Sequence, residues 1–272
     1  MRRNWRLIID PDSTGSWNMA VDEALLQLAG GKQTMPTLRL FGWDPGTLSL
    51  GYAQPHTDVD VDGLTRHNWG LVRRPTGGRA ILHIDEVTYS VTAPLDDPIL
   101  AGSLLESYRK ISAALVQVLR IIGIAVEADR QYDIADSQHL NPVCFETPSN
   151  YEITFRGKKL MGSAQARKYN GLLQHGSLPL FGDLTRITHA LRYQDEKARL
   201  AAGEKLLARA TTVERILDRT PEKSDVINAF IEGFSSILGV SFENMPLTPQ
   251  EIALAQSIEQ NKYQTQEWTN RL

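Results

Sequence analysis

A chain that alternates apolar and polar residues, breaks at a glycine turn and alternates again can hardly avoid building antiparallel hairpins, and residues 151–180 do this. Tyr151, Ile153 and Phe155 fall on one face of the first run. Arg156-Gly157-Lys158-Lys159 forms a basic turn, Met161-Gly162-Ser163-Ala164 follows, and a further strand pattern ends at Gln174-His175-Gly176. Just before the hairpins, residues 129–150 have no clear period. A structureless stretch of that length inside a domain is uncommon and often functional. It carries the only cysteine, Cys144, between Pro142 and Pro148.

The preceding residues continue the strand-rich character. Strand patterns run over 5–9, 37–43, 47–50 and 86–92, and Pro45-Gly46 marks a turn. Leu71 to Arg74 and Arg79 to His83 read as the two arms of a hairpin around Pro75-Thr76-Gly77-Gly78. An amphipathic helix starts near Ser16, with Met19, Ala20, Leu25 and Leu28 inward, and stops at Gly30-Gly31. A longer one begins at the capping box Ser103/Glu106 and ends at Gly123, and residues 124–127 read as a strand edge. From Leu184 onward helices dominate, one starting near Ser224 and a last one opening on Thr248-Pro249-Gln250-Glu251. Strands in runs, with helices packed on one face, define an α+β fold: a mixed, mostly antiparallel sheet backed by helices. Residues 1–182 with 183–245 are expected to form one domain, and 246–272 a C-terminal helical extension.

Composition narrows the function. No apolar run of the 272 residues approaches the roughly 20 needed to span a bilayer, so no membrane role is expected. The start, MRRNWRLIIDPD, lacks the apolar core of a secretory signal. One cysteine excludes an internal disulfide or a cysteine metal cluster and fits a cytoplasmic protein. A net charge of −3 gives no general pull toward nucleic acid. Local charge is denser: Arg73, Arg74 and Arg79 in one stretch; Arg156, Lys158, Lys159, Arg167 and Lys168 in another.

Two motifs carry chemistry. In Arg74-Pro75-Thr76-Gly77-Gly78-Arg79 the paired glycines let backbone N–H groups face a carbonyl or phosphate, although Gly-Gly also suits a plain hairpin turn. In Lys159-Leu160-Met161-Gly162-Ser163-Ala164 an ammonium precedes small residues that permit close approach, or else belongs to a surface lysine. A thiol, an amine near a strand turn and small residues together suit acyl transfer, because an ammonium lowers a thiol's pKa and stabilises an oxyanion. His83 and His175 are candidates for lining a site or for structural roles. The six histidines have no paired ligand spacing, so no metal is expected.

In combination the segments RRPTGGRAILH, DEVTYSV, VCFETPSNYEI, GKKLMGSAQARKYNGLLQHGSLPL and KYQTQEW resemble the LipM-type octanoyltransferases of the biotin/lipoate protein ligase superfamily. The resemblance implies that superfamily's catalytic domain, with C-terminal helices. It implies transfer of an octanoyl group from acyl-carrier protein to a lysine of a lipoyl domain, typically the glycine cleavage H protein, with no ATP or other cofactor. By the same resemblance Cys144 is the nucleophile and Lys159 the essential lysine. Arg74, Thr76, Gly77, Gly78, Arg79, Gly162, Ser163 and Ala164 line the acyl pocket, with His83 and His175 nearby. Trp17, Tyr89 and Leu160 are further candidates for the acyl slot, and Arg73, Arg167 and Lys168 for docking acidic carrier domains.

Lipoate ligases, which use ATP and Mg, tend to have a small residue where Arg79 stands, and they need no cysteine in this loop. LipB-like transferases carry theirs later in the chain, where this sequence has none. A LipL-type amidotransferase, taking octanoyl from H protein, shares the cysteine loop and stays open as an alternative. So does a non-catalytic protein that binds acyl or lipoyl domains.

Overall fold

The computed structural model describes residues 2–128 and 153–272; the loop expected to carry Cys144 lies outside the described residues. The chain enters as strand β1 (Arg3–Ile9) and turns into helix α1 (Gly15–Gly30), where the Thr14 side chain, one turn before Trp17, accepts from the Trp17 N–H. Strands β2 (Thr37–Phe41) and β3 (Thr47–Leu50), a short helix α2 (Val61–Arg66) and strands β4 (Gly70–Arg73), β5 (Ile81–His83) and β6 (Glu86–Pro94) follow. Helix α3 (Leu104–Ile121) begins at the expected Ser103/Glu106 capping box. Then come β7 (Glu127–Ala128), β8 (Ile153–Phe155), β9 (Lys158–Lys168) and β10 (Gly171–Pro179). The helical part contains α4 (Glu196–Arg209), α5 (Val213–Leu217), α6 (Lys223–Leu238), strand β11 (Val240–Asn244), α7 (Pro249–Ile258) and α8 (Gln266–Thr269).

Among the described residues eight strands pair in the order β11-β1-β2-β6-β10-β9-β8-β7. β1 runs parallel to β11 and β2, and the other neighbours are antiparallel. The mixed, mostly antiparallel sheet expected from the sequence is therefore present. Helices, however, cover both faces and not one. α3 and α6 pack on the face of Leu40, Tyr89 and Leu178, where Phe230 and Phe234 are fully buried. Each such ring contributes about 1.5–3 kcal/mol by leaving water. α1 covers the other face, with α7 behind it. The reason is that the strands' polar positions, which sequence alternation assigns to solvent, are buried under α1 and paired with one another.

A second sheet of three strands has β3 at its centre, parallel to β4 and antiparallel to β5. The expected hairpin of residues 71–83 is thus corrected: its arms flank β3 and do not pair with each other. Arg74 explains the wide connection, because its guanidinium binds the carbonyls of Ser49, Gly77 and Arg79 and folds the linking segment across the end of β3. α4 and a 3-10 turn (Leu184–His189) cover this sheet, Leu206 and Ile187 packing with Leu48, Leu50 and Ile81. Residues 246–272 pack on α1, burying Ala255 and Tyr263. Glu251 also pairs with buried Arg6 at 2.5 Å. Among the described residues no helix is long and apolar enough to cross a membrane.

Candidate active site

Directly opposed residues of paired strands share a sheet face. On β10, His175 lies opposite Ser90 and Ala164, and Ser177 opposite Thr88 and Gly162. These six residues therefore form one surface, on the side of α1. The intervening Gln174 and Gly176 face the α3/α6 side, where Gln174 donates to the Tyr89 hydroxyl at 2.9 Å.

Above this surface two carboxylate–histidine–hydroxyl chains converge on the Arg74–Arg79 segment. In the first, Asp22 of α1 lies 3.1 Å from His175 Nδ1, and His175 Nε2 lies 2.6 Å from the Thr76 hydroxyl. Burial alone would raise the Asp22 carboxyl. The His175 hydrogen bond and the Arg39 guanidinium at 3.0 Å outweigh that and hold it below 3.8. Burial dominates at His175 and keeps it below 6.5, only partly opposed by Asp22, so the ring is neutral at pH 7. In the second chain Glu86 binds His83 Nδ1 at 2.7 Å, and Nε2 lies 2.8 Å from Ser49 Oγ. Ser177 and Thr88 also donate to Glu86, Trp43 donates to Thr88 at 2.8 Å, and the Trp43 ring stacks on His83 at 3.9 Å. Ser49 Oγ accepts from Arg74 at 3.1 Å, which joins this chain to the same segment.

The turn is shaped from beneath. Arg74 draws the Gly77 and Arg79 carbonyls toward itself, and the Tyr52 N–H takes the Thr76 carbonyl at 2.8 Å. In a planar trans peptide the N–H points opposite to its C=O, so the amides of Gly77, Gly78 and Ala80 point away from these partners. Open space surrounds the position a Gly77 Cβ would take, and Gly78 has φ +94°, which favours glycine.

Arg74, Thr76, Gly77, Gly78, His83, Gly162, Ala164 and His175 are thus brought together, and Arg79 contributes its carbonyl. Ser163 points to the opposite face, its hydroxyl 2.8 Å from that of Tyr89. Lys159 is buried three positions before Gly162, its carbonyl accepting from Thr211 N–H at 3.0 Å. Cys144 lies outside the described residues. Three expectations change. Tyr89 and Leu160 belong to the core on the α3/α6 side, where burial pushes the Tyr89 phenol up to about 12, and Trp17, in the first turn of α1, belongs to the apolar cluster shared with the C-terminal helices. Arg73 is fully buried and donates to carbonyls, so it cannot form a docking rim. Arg167 donates to the Gly102 and Ser103 carbonyls.

Sequence reading missed Asp22, Arg39, Ser49, Trp43, Glu86 and Ser90. Asp22 had a usable signal: it stands three residues from both Met19 and Leu25, on the apolar stripe of α1, where a carboxylate needs a partner. Among the described residues no three His, Cys, Asp or Glu side chains converge as metal ligands.

A mixed sheet clasped by helices on both faces, with a buried polar surface beneath a glycine turn, is the architecture of a ligase-type catalytic domain. The chain belongs to the lipoyl protein ligase A/B catalytic domain family, whose model matches residues 14–235. Within that family it is similar to proteins named octanoyltransferase LipM. It is 36% identical to that of Brevibacillus brevis over 98% of this chain and 99% of the relative. It is 38% identical to that of Kyrpidia tusciae over 99% of each. The structure superposes on a bi-partite lipoate protein ligase from Thermoplasma acidophilum with TM-score 0.82 and 26% identity, covering 99% of this chain and 98% of that one.

Proposed function

We propose that this chain is an octanoyltransferase of lipoate biosynthesis, acting on a lysine of a lipoyl domain. The observation that carries this is identity of 36–38% over essentially the whole length of proteins bearing the name octanoyltransferase LipM. In this reading the Cys144 thiolate attacks the thioester of octanoyl-acyl-carrier protein, the carrier thiol leaves, and the octanoyl group rests on sulfur. The lysine amine of a lipoyl domain, such as that of the H protein, then displaces the sulfur and forms an amide. Exchange between thioesters is near thermoneutral and aminolysis runs downhill, so no nucleotide is consumed. Covalent catalysis divides one difficult step into two easier ones.

The site supports this reading in two ways. Gly162 and Ala164 put only small side chains on the face of β9 that carries the turn; in this reading they admit the acyl chain, which gains about 0.8 kcal/mol for each CH₂ removed from water. The outward amides of the turn, with the Lys159 ammonium, are the groups that would stabilise a developing oxyanion.

Intact-protein mass spectrometry after mixing with octanoyl-acyl-carrier protein is the test. The expected result is one octanoyl adduct without ATP, absent from Cys144→Ala, and discharged by a lipoyl domain. Lys159→Ala is expected to slow adduct formation, and unchanged acylation kinetics would remove its role. The similarity in fold to a lipoate protein ligase favours one second reading, activation of a free acid with ATP and Mg. Transfer that appears only with ATP and Mg would replace the first reading by that one.

A further inference from the structure

The chain that links α1 to the glycine turn has a fixed polarity. Asp22 is fully buried. Its Oδ1 accepts from Arg39 Nη1 at 3.0 Å and from Ser90 Oγ at 2.8 Å, which leaves Oδ2 for His175 Nδ1 at 3.1 Å. An ionised carboxylate only accepts, so Nδ1 carries the ring proton and Nε2 is left as an acceptor. Thr76 Oγ, 2.6 Å away, then donates into the ring. The Thr76 carbonyl is held as well, by the Tyr52 N–H at 2.8 Å. The residue next to Gly77 is thereby fixed through both side chain and backbone.

We propose that Asp22 is a positioning residue for acyl transfer: it sets the tautomer of His175, which ties Thr76 to β10 and holds the Gly77–Gly78 turn at a set height above Gly162 and Ala164. The inference rests on the transfer reading given above. A purely structural need for this carboxylate is weak, for two reasons. Arg39 has a second carboxylate partner, Asp10, at 2.6 Å from its Nε, so neutralising Asp22 does not leave the guanidinium without a counter-charge. An asparagine could still present its oxygen to Arg39 and Ser90. What it would then present to the ring is an NH₂ group, a donor. The ring proton would move to Nε2, the Thr76 hydroxyl would have to accept, and its own proton would turn toward the glycines.

The test uses the full chain with octanoyl-acyl-carrier protein as acyl donor. Nitrogen NMR of labelled histidine reads the His175 tautomer, and rapid mixing with mass spectrometry reads the rate of thioester formation. The unvaried protein is expected to hold His175 neutral with its proton on Nδ1. Asp22→Asn should move the proton to Nε2 and slow thioester formation by about 10- to 100-fold, the range of one hydrogen bond to a charged or buried group. Thr76→Val should slow it similarly, and Thr76→Ser should come within about threefold of the unvaried rate, because the hydroxyl is kept. An imidazolium or an Nε2–H ring in the unvaried protein would overturn the inference, as would a normal rate in Thr76→Val. If Asp22→Asn fails to fold, the unvaried tautomer and the two Thr76 variants decide. No thioester in the unvaried protein sinks the transfer reading and the inference together; normal rates in Asp22→Asn and Thr76→Val sink the inference alone.

Discussion

Replacing Arg73 by lysine separates a buried clamp from a docking charge. Arg73 Nη1 donates to the carbonyls of Gly51 at 2.9 Å, Tyr52 at 3.3 Å and Gln54 at 2.6 Å. Nε and Nη2 both donate to Thr269, at 3.0 and 2.8 Å. The guanidinium thus joins the loop after β3 to α8, and Trp268 returns a bond to the Arg73 carbonyl at 2.8 Å. An ammonium offers three donors from a single point and cannot serve both groups at once. Losing the two-point bond to Thr269 costs about 1.5–3 kcal/mol, the range for hydrogen bonds to charged groups. At about 2–4 °C per kcal/mol for a chain of this size, Tm should fall by about 3–12 °C. Thermal unfolding of Arg73→Lys measures this, and transfer assays at increasing salt measure docking. A docking residue would behave the opposite way: lysine keeps the charge, so Tm and the salt dependence of KM for the carrier would both hold. That second pattern would refute the burial argument.

Two further outcomes follow from the same geometry. A Cβ on Gly51 would sit 1.8 Å from the Gly78 carbonyl oxygen and 2.7 Å from its carbon, so Gly51→Ala must push the glycine turn outward. Thioester formation is expected to fall by about tenfold or more for a stability loss of about 1–3 kcal/mol, and unchanged acylation kinetics would dissociate the turn from the reaction. His175 is held below 6.5 by burial, so the unfolded chain binds its proton first as pH falls. Its contribution to stability is complete above pH 6.5 and is lost as pH drops through the folded value. Urea unfolding from pH 6.5 to about 5 should therefore show a shallower pH slope in His175→Gln than in the unvaried protein, and equal slopes would contradict the assignment.

Local rules made much of this legible. The Ser103/Glu106 and Thr248/Glu251 boxes name their own helix starts, and the alternation of residues 151–180 yields β8, β9 and β10 from Ile153 onward. Long-range pairings were not legible. β4 lies beside β3 in parallel, a pairing that leaves no turn signature between the two strands, whereas Pro75-Thr76-Gly77-Gly78 signals a local hairpin of β4 with β5 that does not form. Arg73 reads as a docking charge because nothing local announces that carbonyls from Gly51 to Thr269 will surround it. The glycine turn, Lys159 and both histidines were visible as residue types. The partner of His175, Asp22 of α1, is brought near only by the folded chain, whereas Glu86 stands three residues from His83.

The register of β10 is what assigns chemistry to its two faces, and Gly176 fixes that register. A Cβ there would meet the Gly162 carbonyl oxygen at 2.4 Å, Ser163 Oγ at 2.6 Å and Tyr89 Cε1 at 2.9 Å. Sliding β10 by one residue would drive His175 or Ser177 into that space and turn every side chain of the strand to the other face. Asp22 and Glu86 would then lose His175 and Ser177, and leaving a buried carboxylate short of a hydrogen bond costs about 1–3 kcal/mol at each site. Both penalties fall on the same slip, so the shifted sheet is excluded from two directions. A glycine with no reactive group of its own thereby determines that the imidazole faces the turn and the tyrosine faces the core.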